Sequence, residues 1–295
     1  MGKVYEALNK AEAERSRSYL SAFDPRGESH DAQDQSDPRL KEFDFIDYSL
    51  SAPPASEVER IEKEIATASQ TRAWLARPAR EAQLDLARID PHLIAFYESD
   101  VQACDQYNKV AVALIAAAAA RPLKRVLISS AEHGEGRTTV LLNLACVLAR
   151  AKKRVLVVDT DLHRPSMLRL LGIEAESGLA EAVSKGKPPG ESSIKVLPHE
   201  FVVLPTRERI ENPAELLASP ALAQLLETVE PDYDFILFDS PPLTTSADAS
   251  LLVRFADTTL LIIRAGKTSS IQMAKAIAPL NEDSIFGVVL NRAAQ

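Results

Sequence analysis

Cysteine is scarce in this chain, with only Cys104 and Cys146 among 295 residues. Two thiols cannot build a disulfide framework, and both stand in alanine-rich helical surroundings where a small buried thiol is ordinary. A disulfide-stapled secreted domain is excluded, and a reducing cytoplasm is expected. No dense Lys/Arg stripe is present either. With 34 basic and 42 acidic residues and a formal charge of -8, the chain is not expected to have a nucleic-acid partner. Met1 to Leu20 lacks a positive segment leading into an apolar core, which argues against a secretory signal. The longest apolar run, Val110 to Ala120, is about eleven residues where a bilayer span needs roughly 20. It reads as a buried helix, so the protein is expected to be cytoplasmic and to reach a membrane only through a partner.

What is present, 46% hydrophobic and 26% charged residues, suits one or two globular domains. Residues 1–20 read as an amphipathic helix with Val4, Leu8 and Ala11 on one face. Residues 21–55 mix Asp, Ser, Gln, Gly and Pro without periodicity and read as a flexible linker. Residues 56–90 read as a helical segment, in which Ser56 and Glu59 have capping-box spacing and open a helix predicted to end near Pro78. His92 to Ala120 reads as two short helical pieces leading into the main domain, 91–295.

From Val126 onward, six short apolar runs alternate with helical stretches: Val126 to Ile128, Val155 to Val158, Val202 to Leu204, Phe235 to Phe238, Leu260 to Ile263 and Val288 to Leu290. Runs apolar at every position imply strands covered on both faces. The fold class is therefore α/β, a doubly wound and mostly parallel sheet. Asn212, Pro213 and Glu215 read as the N-cap, first turn and capping box of a helix through Glu227.

The chemistry lies at the strand ends. After the first strand comes His133-Gly134-Glu135-Gly136-Arg137-Thr138-Thr139, then a helical run. Strand, loop and helix in that order aim backbone N–H groups and a helix dipole at a phosphate, and glycines keep side chains out of the way. Only 10 glycines occur in the chain, so Gly134 and Gly136 at this junction are a specific signal. The loop departs from GxxxxGK[ST] at Ala131 and at Arg137, where a compact ammonium gives way to a planar guanidinium. Asp159 and Asp161 follow the second strand and Asp239 follows Phe235 to Phe238, where α/β sheets build ligand sites. Carboxylates there can hold Mg²⁺ or orient an attacking hydroxyl. Loop and strand-end acids together point to a Mg-nucleoside triphosphate site. His163 is expected to be a satisfied surface histidine, because no second histidine stands near it in the sequence.

These motifs, AEHGEGRTT, DTDLHRP and DSPP, resemble S-x-x-P-G-E-G-K-[ST]-T, D-x-D-L-R-R-P and D-x-P-P of the bacterial tyrosine kinases that accompany capsule and exopolysaccharide export. NPAELL at Asn212, SADA at Ser246, GVVLNR at Gly287 and the opening MGKVYEALNKAE are similar as well. The likeness spans about residues 90 to 292. It implies a MinD/ParA-like P-loop fold, ATP and Mg²⁺ as cofactors, and a membrane polysaccharide co-polymerase or export protein as partner. It implies, too, that Thr138 ligates Mg²⁺, that Asp159 acts near the γ-phosphate, that Asp239 is the Walker B carboxylate, and that Asn291 and Arg292 lie near the adenine.

Several positions depart from the family pattern. Arg137 replaces the loop lysine and His163 an arginine. Asp105 to Asn108 stands where an oligomer-forming E-x-x-R-x-x-R would begin, which weakens an expected self-association. No tyrosine follows Tyr233, so the tyrosine-rich tail that the family phosphorylates in trans is missing, and Tyr48 and Tyr19 become the acceptor candidates. Two rivals to a tyrosine kinase remain open: a nucleotide-binding regulatory subunit with decayed activity, and a partitioning-type ATPase. The latter usually carries a further lysine near the head of the loop, where Ala131, Glu132 and His133 offer none.

Overall fold

The computed structural model describes residues 80–97, 100–187 and 189–293. The N-terminal helix with Tyr19, the linker with Tyr48, and the helix from Ser56 toward Pro78 lie outside these residues. The strands are β1 (Arg80–Gln83), β2 (Arg125–Ser130), β3 (Val155–Asp159), β4 (Ile194–Leu197), β5 (Phe201–Leu204), β6 (Phe235–Asp239), β7 (Thr258–Arg264) and β8 (Ile285–Asn291). They form one sheet in the order β1-β4-β5-β3-β6-β2-β7-β8. Every neighbouring pair is parallel except β4 with β5. The helices are α1 (Ile94–Tyr97), α2 (Val101–Ala120), α3 (Arg137–Arg150), α4 (Met167–Leu171), α5 (Leu179–Ser184), α6 (Pro189–Ser192), α7 (Pro213–Ala218), α8 (Pro220–Val229), α9 (Ala247–Val253) and α10 (Ser270–Ile277).

The alternation along each central strand explains the unbroken apolar runs. Val126, Ile128, Val155, Val157 and Leu237 point to the face covered by Leu141, Leu144 and Leu148 of α3. Leu127, Leu156, Val158, Ile236 and Phe238 point to the opposite face, against Leu216 of α7 and Leu222 and Leu226 of α8. Both faces are dry, which is why no position in these strands is polar until the strand ends. The six expected strands all form.

The structure departs from the expected elements at several points. Arg80–Gln83 is an edge strand, so the described end of the segment read as helical is extended and belongs to the sheet. β4 was not foreseen; it is short, alternates buried with half-buried residues, and runs antiparallel to β5. The helix expected from Pro213 through Glu227 is two helices. Pro220 drives Ser219 into extended geometry, at φ -70° and ψ 137°, which ends α7, and Ser219 then caps α8 through Leu222 N–H. Asn212 makes no side-chain cap, although Pro213 does open α7. In the run Val110 to Ala120 only Ala111 and Leu114 are buried, within a single 20-residue helix that follows the four-residue α1. Asp100 caps that helix by accepting from Ala103 N–H.

Candidate functional site: a phosphate loop facing two buried carboxylates

The sheet register brings the acids together. Asp159 and Asp239 end adjacent parallel strands and are register partners, so their side chains leave the sheet on the same rung. β6 lies between β3 and β2, and the loop that follows β2 therefore arches beside Asp239. Gly134 at φ 78° and Gly136 at φ 94° occupy the left-handed region. That geometry lets the chain curl into a concave loop before α3 begins at Arg137.

The loop is braced from outside. Asn291 at the end of β8 donates through Nδ2 to the Glu135 carbonyl at 2.7 Å. A methyl group on Gly136 would lie 2.2 Å from that same nitrogen. Glu135, expected among the nucleotide-binding residues, turns its carboxylate inward, accepts from Glu132 N–H at 2.9 Å, and is 1% exposed. Thr268 also donates to it, and Gln272 of α10 donates to Glu132. Thr244 donates to the Ala131 carbonyl at 2.5 Å. On α3, buried Asn143 accepts from Ala95 N–H and donates to the His92 and Thr139 carbonyls. None of these braces carries a local motif, and only the long-range fold places them.

Thr138 Oγ1 donates to Asp239 Oδ2 at 2.6 Å and accepts from Ser166 Oγ at 3.2 Å. Asp159 and Asp239 are 0% and 1% exposed, yet Asp159 Oδ2 and Asp239 Oδ1 accept no hydrogen bond. Burial, then the neighbouring Asp239 and Asp161, push the Asp159 carboxyl well above the usual range. Burial pushes Asp239 up to about 7, against the opposing pull of Arg137 and the Thr138 hydroxyl. Two orphaned carboxylate oxygens beside a threonine hydroxyl form the hard, all-oxygen donor set that suits Mg²⁺. The residues present fit that ion.

Arg137 does not extend into the open loop. Its Nη2 pairs with Asp161 Oδ2 at 2.9 Å, and its Nη1 donates to Ser130 Oγ at 2.6 Å and to the Glu132 carbonyl at 3.1 Å. The pair is nearly sealed, with side chains 7% and 6% exposed. Asp161 thus serves Arg137, while Asp159 and Asp239 face each other. Thr139 is half-buried on the first turn of α3, and Arg292 is exposed at φ 56° beyond β8.

His163 is paired, as expected of a satisfied histidine, through Nε2 to Asp248 Oδ2 at 2.9 Å. Distant in sequence, a second histidine comes close in the fold. His133 of the loop and His163 line one polar cleft of about 230 Å³ with Arg164, Arg209 and Ser246. Burial first, then the charge of Arg164, holds the His133 imidazole below its ordinary value, favouring the neutral ring.

A braced glycine loop between strand and helix, with two aspartates on the next strand ends of a parallel sheet, defines a P-loop nucleotide-binding protein. The ParA model, described as NUBPL iron-transfer P-loop NTPase, matches residues 123–294. Tyrosine-protein kinase YwqD of Bacillus subtilis (strain 168) is 33% identical over 208 residues, which cover 70% of this chain and 87% of that protein. The succinoglycan biosynthesis transport protein ExoP of Rhizobium meliloti (strain 1021) is 30% identical over 174 residues, 57% of this chain but 22% of ExoP. The solved kinase domain of Escherichia coli tyrosine kinase ETK superposes with a TM-score of 0.56 at 28% identity, over 59% of this chain and 69% of that domain. The chain belongs to the bacterial tyrosine-protein kinase family, on the ParA-type P-loop fold. No helix of the described residues is long and apolar enough to cross a membrane.

Proposed function

We propose that the protein is a Mg-ATP-dependent protein-tyrosine kinase, an autokinase included, that serves exopolysaccharide or capsule export beside a membrane co-polymerase. The observation that carries the chemistry is the pair of buried carboxylates with unsatisfied oxygens, in register beneath the phosphate loop. The names of YwqD and ExoP supply the tyrosine acceptor and the polysaccharide context.

In this reading the loop from His133 to Thr139 cradles the phosphates with backbone N–H groups, and Asn291 and Arg292 border the base. Thr138 and Asp239, with Asp159 beside them, would hold Mg²⁺, which would offset the negative charge of the phosphates. Asp159, beside Asp239 at the strand ends, orients the tyrosine hydroxyl and, in its ionised form, accepts the hydroxyl proton. The phenolic oxygen bonds to the γ-phosphorus while the bond from that phosphorus to the bridging oxygen breaks and ADP leaves. Arg137 must exchange Asp161 for a phosphate oxygen to take part.

That exchange motivates a second reading, a nucleotide-binding regulatory subunit whose transfer activity is silenced at one position. Purified protein is given Mg-ATP labelled on the γ-phosphate, with and without a tyrosine-containing polymer, beside Asp239→Ala and Arg137→Lys. Label on tyrosine that vanishes in Asp239→Ala is the expected outcome. An unlabelled native protein beside an active Arg137→Lys variant would establish the regulatory reading.

A further inference from the structure

The tyrosines of the described residues are poor acceptors. Tyr233 is 9% exposed, and burial raises the Tyr107 and Tyr233 phenols to about 12. The Tyr97 hydroxyl lies 2.8 Å from both the Leu86 and the Ile89 carbonyl oxygens, which share its one proton. A phenol that is buried or already bonded to backbone cannot be presented to a γ-phosphate without local unfolding. The sequence leaves Tyr5, Tyr19 and Tyr48.

The cleft beside the loop discriminates among these three. His133 makes it continuous with the phosphate loop, and Arg164 and Arg209 stand on its wall. Among the described residues neither guanidinium has a carboxylate partner, whereas Arg137, Arg154 and Arg207 do. Asp248, the buried acid at the rim, is already engaged by His163 and Ser246. The cleft therefore presents two cations without carboxylate partners beside the phosphate loop. Arg15 and Arg17 precede Tyr19, and Lys3 precedes Tyr5, but Tyr48 follows Glu42, Asp44 and Asp47 with no base between them.

Resting on the kinase reading above, we infer that the His133–Arg164–Arg209 cleft is the acceptor-docking site, and that it takes an acidic tyrosine-bearing segment whose own-chain example is Glu42 to Leu50 around Tyr48. Arg164 and Arg209 bind the carboxylates that precede the tyrosine, and this seats the phenol toward Asp159. The charge pairs set affinity for the acceptor and leave the nucleotide's contacts alone.

The test uses the full chain and two synthetic peptides, the Glu42–Leu50 sequence and its Glu/Asp→Gln/Asn counterpart. Peptide affinity is read by fluorescence anisotropy on nucleotide-loaded protein, transfer by label, and nucleotide affinity by calorimetry. The acidic peptide is expected to bind about tenfold tighter than the neutral one. Arg164→Gln with Arg209→Gln should remove that preference and raise the peptide KM with kcat and nucleotide affinity retained. Tyr48→Phe in the full chain should abolish most self-labelling. Equal affinity for the two peptides, or an acidic preference that survives the double substitution, overturns the inference. Absence of transfer with the anisotropy preference intact sinks the kinase reading and leaves the docking site standing. If the double variant fails to fold, Arg209→Lys and Arg209→Glu are compared, and only the latter should lose the acidic peptide.

Discussion

At the scale of single residues the site is three buried aspartates around one buried guanidinium. Asp239 titrates at about 7 in the fold against an ordinary 3.8. The folded state thus keeps a proton that the unfolded chain has already released, so this contribution to stability is full below roughly pH 4 and is lost as pH rises toward 7. Thermal unfolding without nucleotide or Mg²⁺ should show a midpoint that falls over that window, and Asp239→Asn should flatten the fall. A wild-type midpoint that rises from pH 5 to 7.5, beside an unchanged Asp239→Asn curve, would refute it. The Arg137–Asp161 pair behaves differently, because removing one partner strands the other. Asp161→Ala leaves a buried guanidinium whose Nε already lacks a partner, and should cost about 3–5 kcal/mol in denaturant unfolding. The acids and Arg137 were visible in the sequence as candidates. Which acid serves Arg137 and which acids face each other was not, since the register of β3 on β6 decides it.

At the scale of elements, the loop holds its shape because other elements hold it. Gly136 needs φ 94° and leaves no room for a methyl group beside Asn291. Gly136→Ala should therefore weaken nucleotide binding by at least about tenfold through backbone strain. Adding Asn291→Ala relieves the contact but not the dihedral, so calorimetry on the double variant should recover little of the loss. The central strands were legible because burial on both faces leaves no polar position inside them. β1 and β4 were not, since strands of four residues with mixed exposure, one at the sheet edge and one beside it, give no such run. The break at Ser219 was available in the sequence: Pro220 forbids its predecessor a helical conformation, a local rule that outweighed the capping pattern at Asn212.

At the scale of the whole molecule, the fold places one phosphate loop, two orphaned carboxylates and one cationic cleft along the same edge of the sheet. The resemblance carried by the motifs matches the membership that similarity to YwqD and the ParA model establishes. What the motifs could not carry is proximity between distant segments: His133 beside His163, Asn291 beneath Glu135, Asn143 joining α3 to the backbone before α2. The measurement closest to the centre of this reading is calorimetric titration of a non-hydrolysable ATP analogue into the full chain, with Mg²⁺ and again with a chelator. Wild-type protein should bind at least about tenfold more tightly with Mg²⁺, and Asp239→Ala should lose that difference. Equal affinity with and without Mg²⁺ in the wild type would contradict a nucleotide site built on Asp159 and Asp239.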